Sequence, residues 1–489
     1  MHLGFSLAPA SDDTALWGRQ LCRRLALVAC SLVMLVGPGA SSAEECNTDI
    51  CTGGAACTIS GAHVLSPGCE LDFGDKDVTI AKTALLREEE GGGFTIKAHH
   101  LTLLGSLATK SPTKGTDAGG ITVILSGDLT VPPQAKGSIS SEGSVDEGVG
   151  YGGTVFVTAA GAISLQGNVG IVSRPSGIID MTGASLLLGE RISALVYASI
   201  FLKTTAGSMT INKPILADNV SGNVGCGGEV ELEAQGGDLI INGQVTQKNV
   251  ACGSGSLSFI ASGDIKVKKL IDASDKYHGD SGGDIAIAAG NDLFVYAPIV
   301  ADGSPSIEES LGGRILMSAG GNVVITAKVS ARAFYEDASG GCIGIAAGPN
   351  KSITIDSDLL TTSAKGPGGI IVIGDSPRDD LSECPNPDPA HAGPIVGAES
   401  ISLTGVVDST GTTGGVNRLS YRNAFTSSGV RLRSNDNSST TGNIIQCGCL
   451  DDSPTDGTCD ANACIRNPLG LIPGTATPVA QVLPTVLVP

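Results

Sequence analysis

The sequence predicts an all-β chain: a parallel β-helix solenoid of roughly twelve coils, closed at each end by a cysteine-rich segment. Three observations predict it. A glycine-pair repeat is plainest where GGDIAIAAGNDLFVYAPIVADG begins at Gly282 and GGRILMSAGGNVVITAKVSARA begins 30 residues later at Gly312. Each glycine pair is followed by alternating apolar and polar residues, as in Val230, Leu232 and Ala234 or Ile285, Ile287 and Ala289, the period of a strand with one buried face. Four cysteines precede the repeat and four follow it, where a stack needs caps.

Residues 1–43 read as a secretory signal. Arg19, Arg23 and Arg24 supply the basic start, Leu25 to Val36 the apolar stretch, and Ser41-Ser42-Ala43 the small residues of a cleavage site. The apolar stretch is too short to span a bilayer. Residues 44–77 form a cysteine-rich cap with Cys46, Cys51, Cys57 and Cys69. In an exported protein these are expected in disulfides, with the connectivity left open; a zinc site is disfavoured because no paired CxxC is present.

The repeat domain is expected over residues 78–445. Glycine pairs recur at Gly282-Gly283, Gly312-Gly313, Gly340-Gly341 and Gly368-Gly369, with earlier copies at Gly92-Gly93, Gly119-Gly120, Gly152-Gly153 and Gly227-Gly228. Between Gly153 and Gly227 the period is obscured, and degenerate coils are expected there. Three short strands and three corners fit a repeat of this length, whereas a propeller blade needs a longer one. The Asp or Asn at the first corner (Asp128, Asp238, Asp264, Asp292, Asn322) is expected to bond its own turn. The glycine pair is expected to supply positive φ at the third corner. The hand follows from the crossover rule for parallel strands and is right-handed. Cys226 and Cys252 precede consecutive glycine pairs, nearly one coil apart, and are expected to bond.

Residues 446–467 carry Cys447, Cys449, Cys459 and Cys464. From Pro468 the tail holds five prolines and no charge, which forbids a membrane helix and favours an extended segment.

Without residues 1–43, which hold three Arg, two Asp and two Cys, the chain has 27 basic and 47 acidic residues, a net charge near −20, and 12 cysteines. This acidic balance excludes nucleic acid as a partner, since that needs a basic footprint. Trp17 is the sole tryptophan and lies in the signal, so the mature chain lacks the aromatic side chain most used for stacking sugars.

Repeats such as GGEVELEAQGGDLIINGQV and GGDIAIAAGNDLFVYAPIV resemble those of exported bacterial parallel β-helix proteins, filamentous-haemagglutinin and adhesin-like in style. The resemblance covers about residues 78–445. It implies a secreted or cell-surface scaffold whose partners are surface glycans or other cell-surface proteins. The Asn-Pro-Asn motif of two-partner-secreted adhesins is not found near the N-terminus, so no functional residue carries over.

β-Helices also carry polysaccharide lyases and glycoside hydrolases, which use clustered carboxylates beside a cation. The longest insertion, residues 374–394, holds Arg378, Asp379, Asp380 and Glu383, with Asp388 and His391, and is the candidate catalytic loop. The competing reading is a solvated, proline-rich loop pinned by Cys384 to Cys342. A calcium ladder of corner aspartates is the one cofactor left open, although the nine-residue calcium repeat is absent. His99 and His100, adjacent on an expected strand, should face opposite ways and hold no common metal.

Overall fold

The computed structural model describes residues 46–467 apart from 47–49, 53, 55, 112, 114–115, 144–150, 168–169, 175–176, 195–198, 219–227, 249–254, 276–280, 306–309, 336–337, 375–397, 413–414, 429, 435–442 and 449–463. Among the described residues every regular element longer than one turn is a strand. The strands form a parallel β-helix. One coil shows the plan: Asp284–Ala289 lies in the first sheet, Leu293–Val295 in the second, and Ile299–Val300 in the third. Each pairs in parallel with its counterpart one coil on, Arg314–Ala319, Val323–Ile325 and Val329–Ser330.

Among the described residues the third sheet has 14 strands, close to the roughly twelve coils expected. At about 4.8 Å per coil it extends on the order of 60 Å. The first and second sheets are joined as one 29-stranded sheet, because the long strand Val416–Ser427 belongs to both. Its first part pairs with Ile370–Ile373 and its second with Ala398–Leu403. Parallel stacking already begins at Ala56–Ile59, inside the segment read from sequence as a cap. Where the glycine period is obscured the coils continue but shorten: Thr154 pairs with Ile178 and Ile178 with Ser199, steps of 24 and 21 residues.

The core is one column of inward side chains. Ile285, Ile287, Leu293, Val295 and Ile299 of a single coil are each at most 1% exposed, and the corresponding residues of neighbouring coils pack above and below them. Alternation is what puts them there, since a one-residue slip would turn the whole set outward.

Gly93, of the pair Gly92-Gly93, has the left-handed φ expected, 73°, but the later pairs do not serve that purpose. None of Gly282, Gly283, Gly312, Gly313, Gly340, Gly341 or Gly369 has a left-handed φ. Their reason is close approach. The chain leaves the third strand, makes a loop, and returns at the pair, where the second glycine donates back to the loop's base: Gly313 N to Ala301 O at 2.7 Å and Gly341 N to Ala331 O at 2.7 Å. A Cβ on Gly312 would lie 2.2 Å from Ala331 O and 2.4 Å from Gly341 N, both backbone atoms that cannot step aside.

The inward position beside this neck is small or bonds the neck itself in most coils, Gln247 between Ala217 and Ala273 being an exception. It holds Ala217, Ala273, Ala301 and Ala331, and earlier Thr109, Ser141 and Ser173. The three hydroxyls donate to glycine carbonyls: Thr109 and Ser141 to Gly119 O, Ser173 to Gly153 O. Glu88 takes the same column, fully buried, and its carboxylate accepts the amides of Glu90 and Gly93.

The ends are closed by reversal of direction. Cys51–Thr52 runs antiparallel to Ala56–Ile59, and Cys464–Asn467 antiparallel to Asn443–Gly448. An antiparallel strand occupies the sheet edge that would otherwise continue the stack. At the N-terminal end the disulfides are Cys46–Cys69 and Cys51–Cys57, fixing a connectivity that the sequence left open. At the other end Cys447 is the backbone partner of Cys464, while Cys449 and Cys459 lie outside the described residues.

Candidate functional sites

The expected catalytic residues Arg378, Asp379, Asp380 and Glu383, with Asp388 and His391, lie outside the described residues. So do Cys226 and Cys252. The flanking strands still locate the insertion: Ile373 ends a first-sheet strand and Ala398 opens a second-sheet strand. Twenty-four residues, 374–397, therefore replace the three-residue corner that Gly290-Asn291-Asp292 makes elsewhere. Cys342, on the neighbouring coil, is disulfide-bonded to a partner outside the described residues. Leu316, Gly344, Val372 and Arg418 form an outward column there and are buried, unlike the outward residues of earlier coils.

The first corner holds a polar ladder that corrects the expectation for its Asp and Asn residues. Each side chain bonds the next coil's turn instead of its own. Asp238 Oδ1 accepts the amide of Asp264 at 2.9 Å, Asp264 Oδ1 that of Asp292 at 3.2 Å, and Asp292 Oδ1 that of Asn322 at 2.7 Å. Asn322 Oδ1 accepts the amide of Ser352 at 3.0 Å. Ser208 Oγ begins this run by accepting from Asp238 N, and His100 Nδ1 has the same role toward Asp128 N. None of these residues has a positive φ, so left-handed tolerance is not the reason for Asp here.

The second carboxylate oxygens of Asp238 and Asp264 face a cation. Lys266 Nζ lies 3.0 Å from Asp264 Oδ2 and 3.9 Å from Asp238 Oδ2. Its hydrogen bond holds the Asp264 carboxyl below the usual range, and the same bond raises the lysine's own pKa. Similar coil-to-coil pairs join Lys97 to Glu70, Lys203 to Glu233 and Arg314 to Asp284 on the first sheet. Burial pushes the Asp180 carboxyl up, against the opposing pull of Lys203. Asp180 stands in register between Phe156 and Phe201 in the outward column of the first sheet.

At one corner the geometry collects a donor set of three residues. His99 and His100 lie between the strands Phe94–Ala98 and Leu101–Leu103, not within a strand, so strand alternation does not separate them. Their ring centroids are 4.1 Å apart. Asp77, from the coil before, joins them: one donor atom from each of the three lies within 4.8 Å of the others. The backbone sets this up through His99 N to Lys76 O at 3.0 Å and Val78 N to His100 O at 2.8 Å. The next coil orients the rings. Ser126 Oγ sits 2.9 Å from His99 Nδ1, and a Cβ at Gly127 would meet His100 Cε1 at 2.4 Å, so glycine there makes room for the ring. Sequence reading missed the cluster because it assigned the pair to a strand; register was the missing signal.

On the second sheet the half-buried Phe294 and, just past its strand, the exposed Tyr296 lie nearly parallel, 6.0 Å apart, with Lys266 Nζ 5.7 Å from the Phe294 centroid. No helix among the described residues is long and apolar enough to cross a membrane. No family model, no curated protein and no solved structure matches the chain.

Proposed function

We propose that the protein is an exported, non-enzymatic bacterial scaffold of the secreted or cell-surface kind, an adhesin-like rod that presents loops. One observation carries this reading: the polar side chains of the first corner are committed to holding the next coil, from Asp238 to Ser352. Side chains so engaged stiffen the stack, and an engaged carboxylate oxygen is not free for acid–base work. The cross-coil ion pairs of the outer face support the same reading. Surface glycans or other cell-surface proteins are the partners, with the parallel Phe294–Tyr296 pair as a platform for stacking a sugar face.

The second reading is a polysaccharide lyase or glycoside hydrolase using Asp379 and Asp380 of the 374–394 loop. It is favoured by the place of the insertion, which alone among the first corners replaces three residues by twenty-four. A chain-shortening assay separates the two. Oxidised mature protein is incubated with acidic and neutral polysaccharides, with and without Ca²⁺, and polymer size is followed. The scaffold reading expects no change in size. Cleavage that disappears in the Asp379→Asn/Asp380→Asn variant would overturn it in favour of the enzyme.

A further inference from the structure

We propose that the corner formed by Asp77, His99 and His100 binds one divalent transition-metal ion of the zinc class. Two imidazoles and a carboxylate are the donor types that borderline ions of this class take, whereas calcium and magnesium prefer oxygen alone. The three donors come from two adjacent coils, and their atoms lie within 4.8 Å of one another, close enough to share one ion after small side-chain rotations. The site faces solvent, which leaves room for water in the remaining position.

The neighbouring coil treats the two rings differently, and this sets their roles. A metal-bound histidine commonly donates its other ring N–H to a nearby acceptor, which fixes its orientation. His99 meets that requirement: with its Nδ1 proton on Ser126 Oγ at 2.9 Å, Nε2 keeps its lone pair for the ion. Asp77 supplies the anionic oxygen. His100 is engaged otherwise, since its Nδ1 accepts the Asp128 amide at 2.7 Å and its neutral ring then carries the proton on Nε2. It completes the site by turning the Nδ1 lone pair from that amide to the ion. The inter-coil bond given up places the affinity below that of closed structural zinc sites. His99 and Asp77 are the primary ligands and His100 the third.

A bound ion would clamp two coils near the N-terminal end, adding to the nearby disulfides Cys46–Cys69 and Cys51–Cys57. The test is isothermal titration of the oxidised mature protein with Zn²⁺, the oxidised state keeping thiolates from competing. The expected result is one-to-one binding that weakens about tenfold or more in Asp77→Asn and in His99→Gln. In chelator Asp77→Asn should melt as wild type does, and His99→Gln should lose no more than the single inter-coil bond of its ring to Ser126 Oγ. His63→Gln, a histidine outside the cluster bonded to Ser60 O, should bind as wild type does. Absence of stoichiometric binding in the wild type would overturn the proposal, as would unchanged affinity in the Asp77→Asn/His99→Gln double variant.

Discussion

Asp292 illustrates how little of its environment a corner residue shares with its own turn. Its Oδ1 accepts from Asn322 N, thirty residues on, at 2.7 Å, and also lies 3.3 Å from Asn322 Nδ2. Removing the acceptor leaves that half-buried amide without its partner, so Asp292→Ala should cost about 1 kcal/mol. Asp292→Asn keeps the oxygen, as Asn322 does in the native ladder, and should cost much less. Chemical denaturation of both variants checks the contrast; equal losses would show that charge, not the inter-coil bond, matters at this position. Asp180 gives a residue-scale prediction of opposite sense. Its folded-state pKa is raised by burial, so the native state holds the proton more tightly than the unfolded chain. Stability from this group therefore increases as pH falls through the folded value toward the ordinary carboxylate range near 3.9. Asp180→Asn should raise the melting temperature at neutral pH, with the gain vanishing below that range. A gain independent of pH would show that the effect is not ionisation. Gln247 is a residue with no such account: it is fully buried, neither amide atom has a hydrogen-bond partner, and its neighbours in the column are Ala217 and Ala273.

Among the elements, the third corner decides the repeat. Its glycines are spaced by the coil because each pair is squeezed between coils, Gly282, Gly312 and Gly340 by the coil after and Gly283, Gly313 and Gly341 by the coil before. Gly312→Ala places a Cβ 2.2 Å from Ala331 O, and the backbone must shift on two coils. Destabilisation of about 1–3 kcal/mol is expected, the usual cost of overpacking a tight site. Thermal melting checks it; a neutral result would mean that the corner opens freely. Strand positions were legible in the sequence, since the alternation of Ile285, Ile287 and Ala289 leaves one choice of buried face. The role of the glycines was not, because the recurrence of a glycine looks the same whether φ or crowding demands it. The Asp ladder was half legible: recurrence marked the corner, but the partner is set by stacking register. For the same reason Asp77 could not be joined to His99 from sequence, as they are 22 residues apart. The candidate loop of Arg378, Asp379, Asp380 and Glu383 was found from its length and its carboxylates beside a cation, and the flanking strands add only the corner from which it leaves.

At the scale of the whole molecule, the stack repeats one bargain between neighbours. Every interior coil has two others to bury its apolar face, accept its amides and pair its charges, so stability is close to a sum of neighbour terms. Only the ends lack a neighbour, and both are met by an antiparallel strand, the first tied by disulfides. A stack of this kind is suited to holding loops at fixed spacing, which is the scaffold function proposed. The claim beneath all of this is the register of one coil on the next. The measurement that tests it most directly is an engineered cross-link between Ser258 and Ala286, outward-facing Cα partners on adjacent coils. Partners at the strand spacing of about 4.8 Å fall within the Cα range of a disulfide. Ser258→Cys/Ala286→Cys should form that bond on mild oxidation, identified by peptide mass mapping, with the melting temperature retained. Failure of this pair to bond, with ready bonding of Ser258→Cys to a cysteine placed at Ile287, would contradict the register and the account built on it.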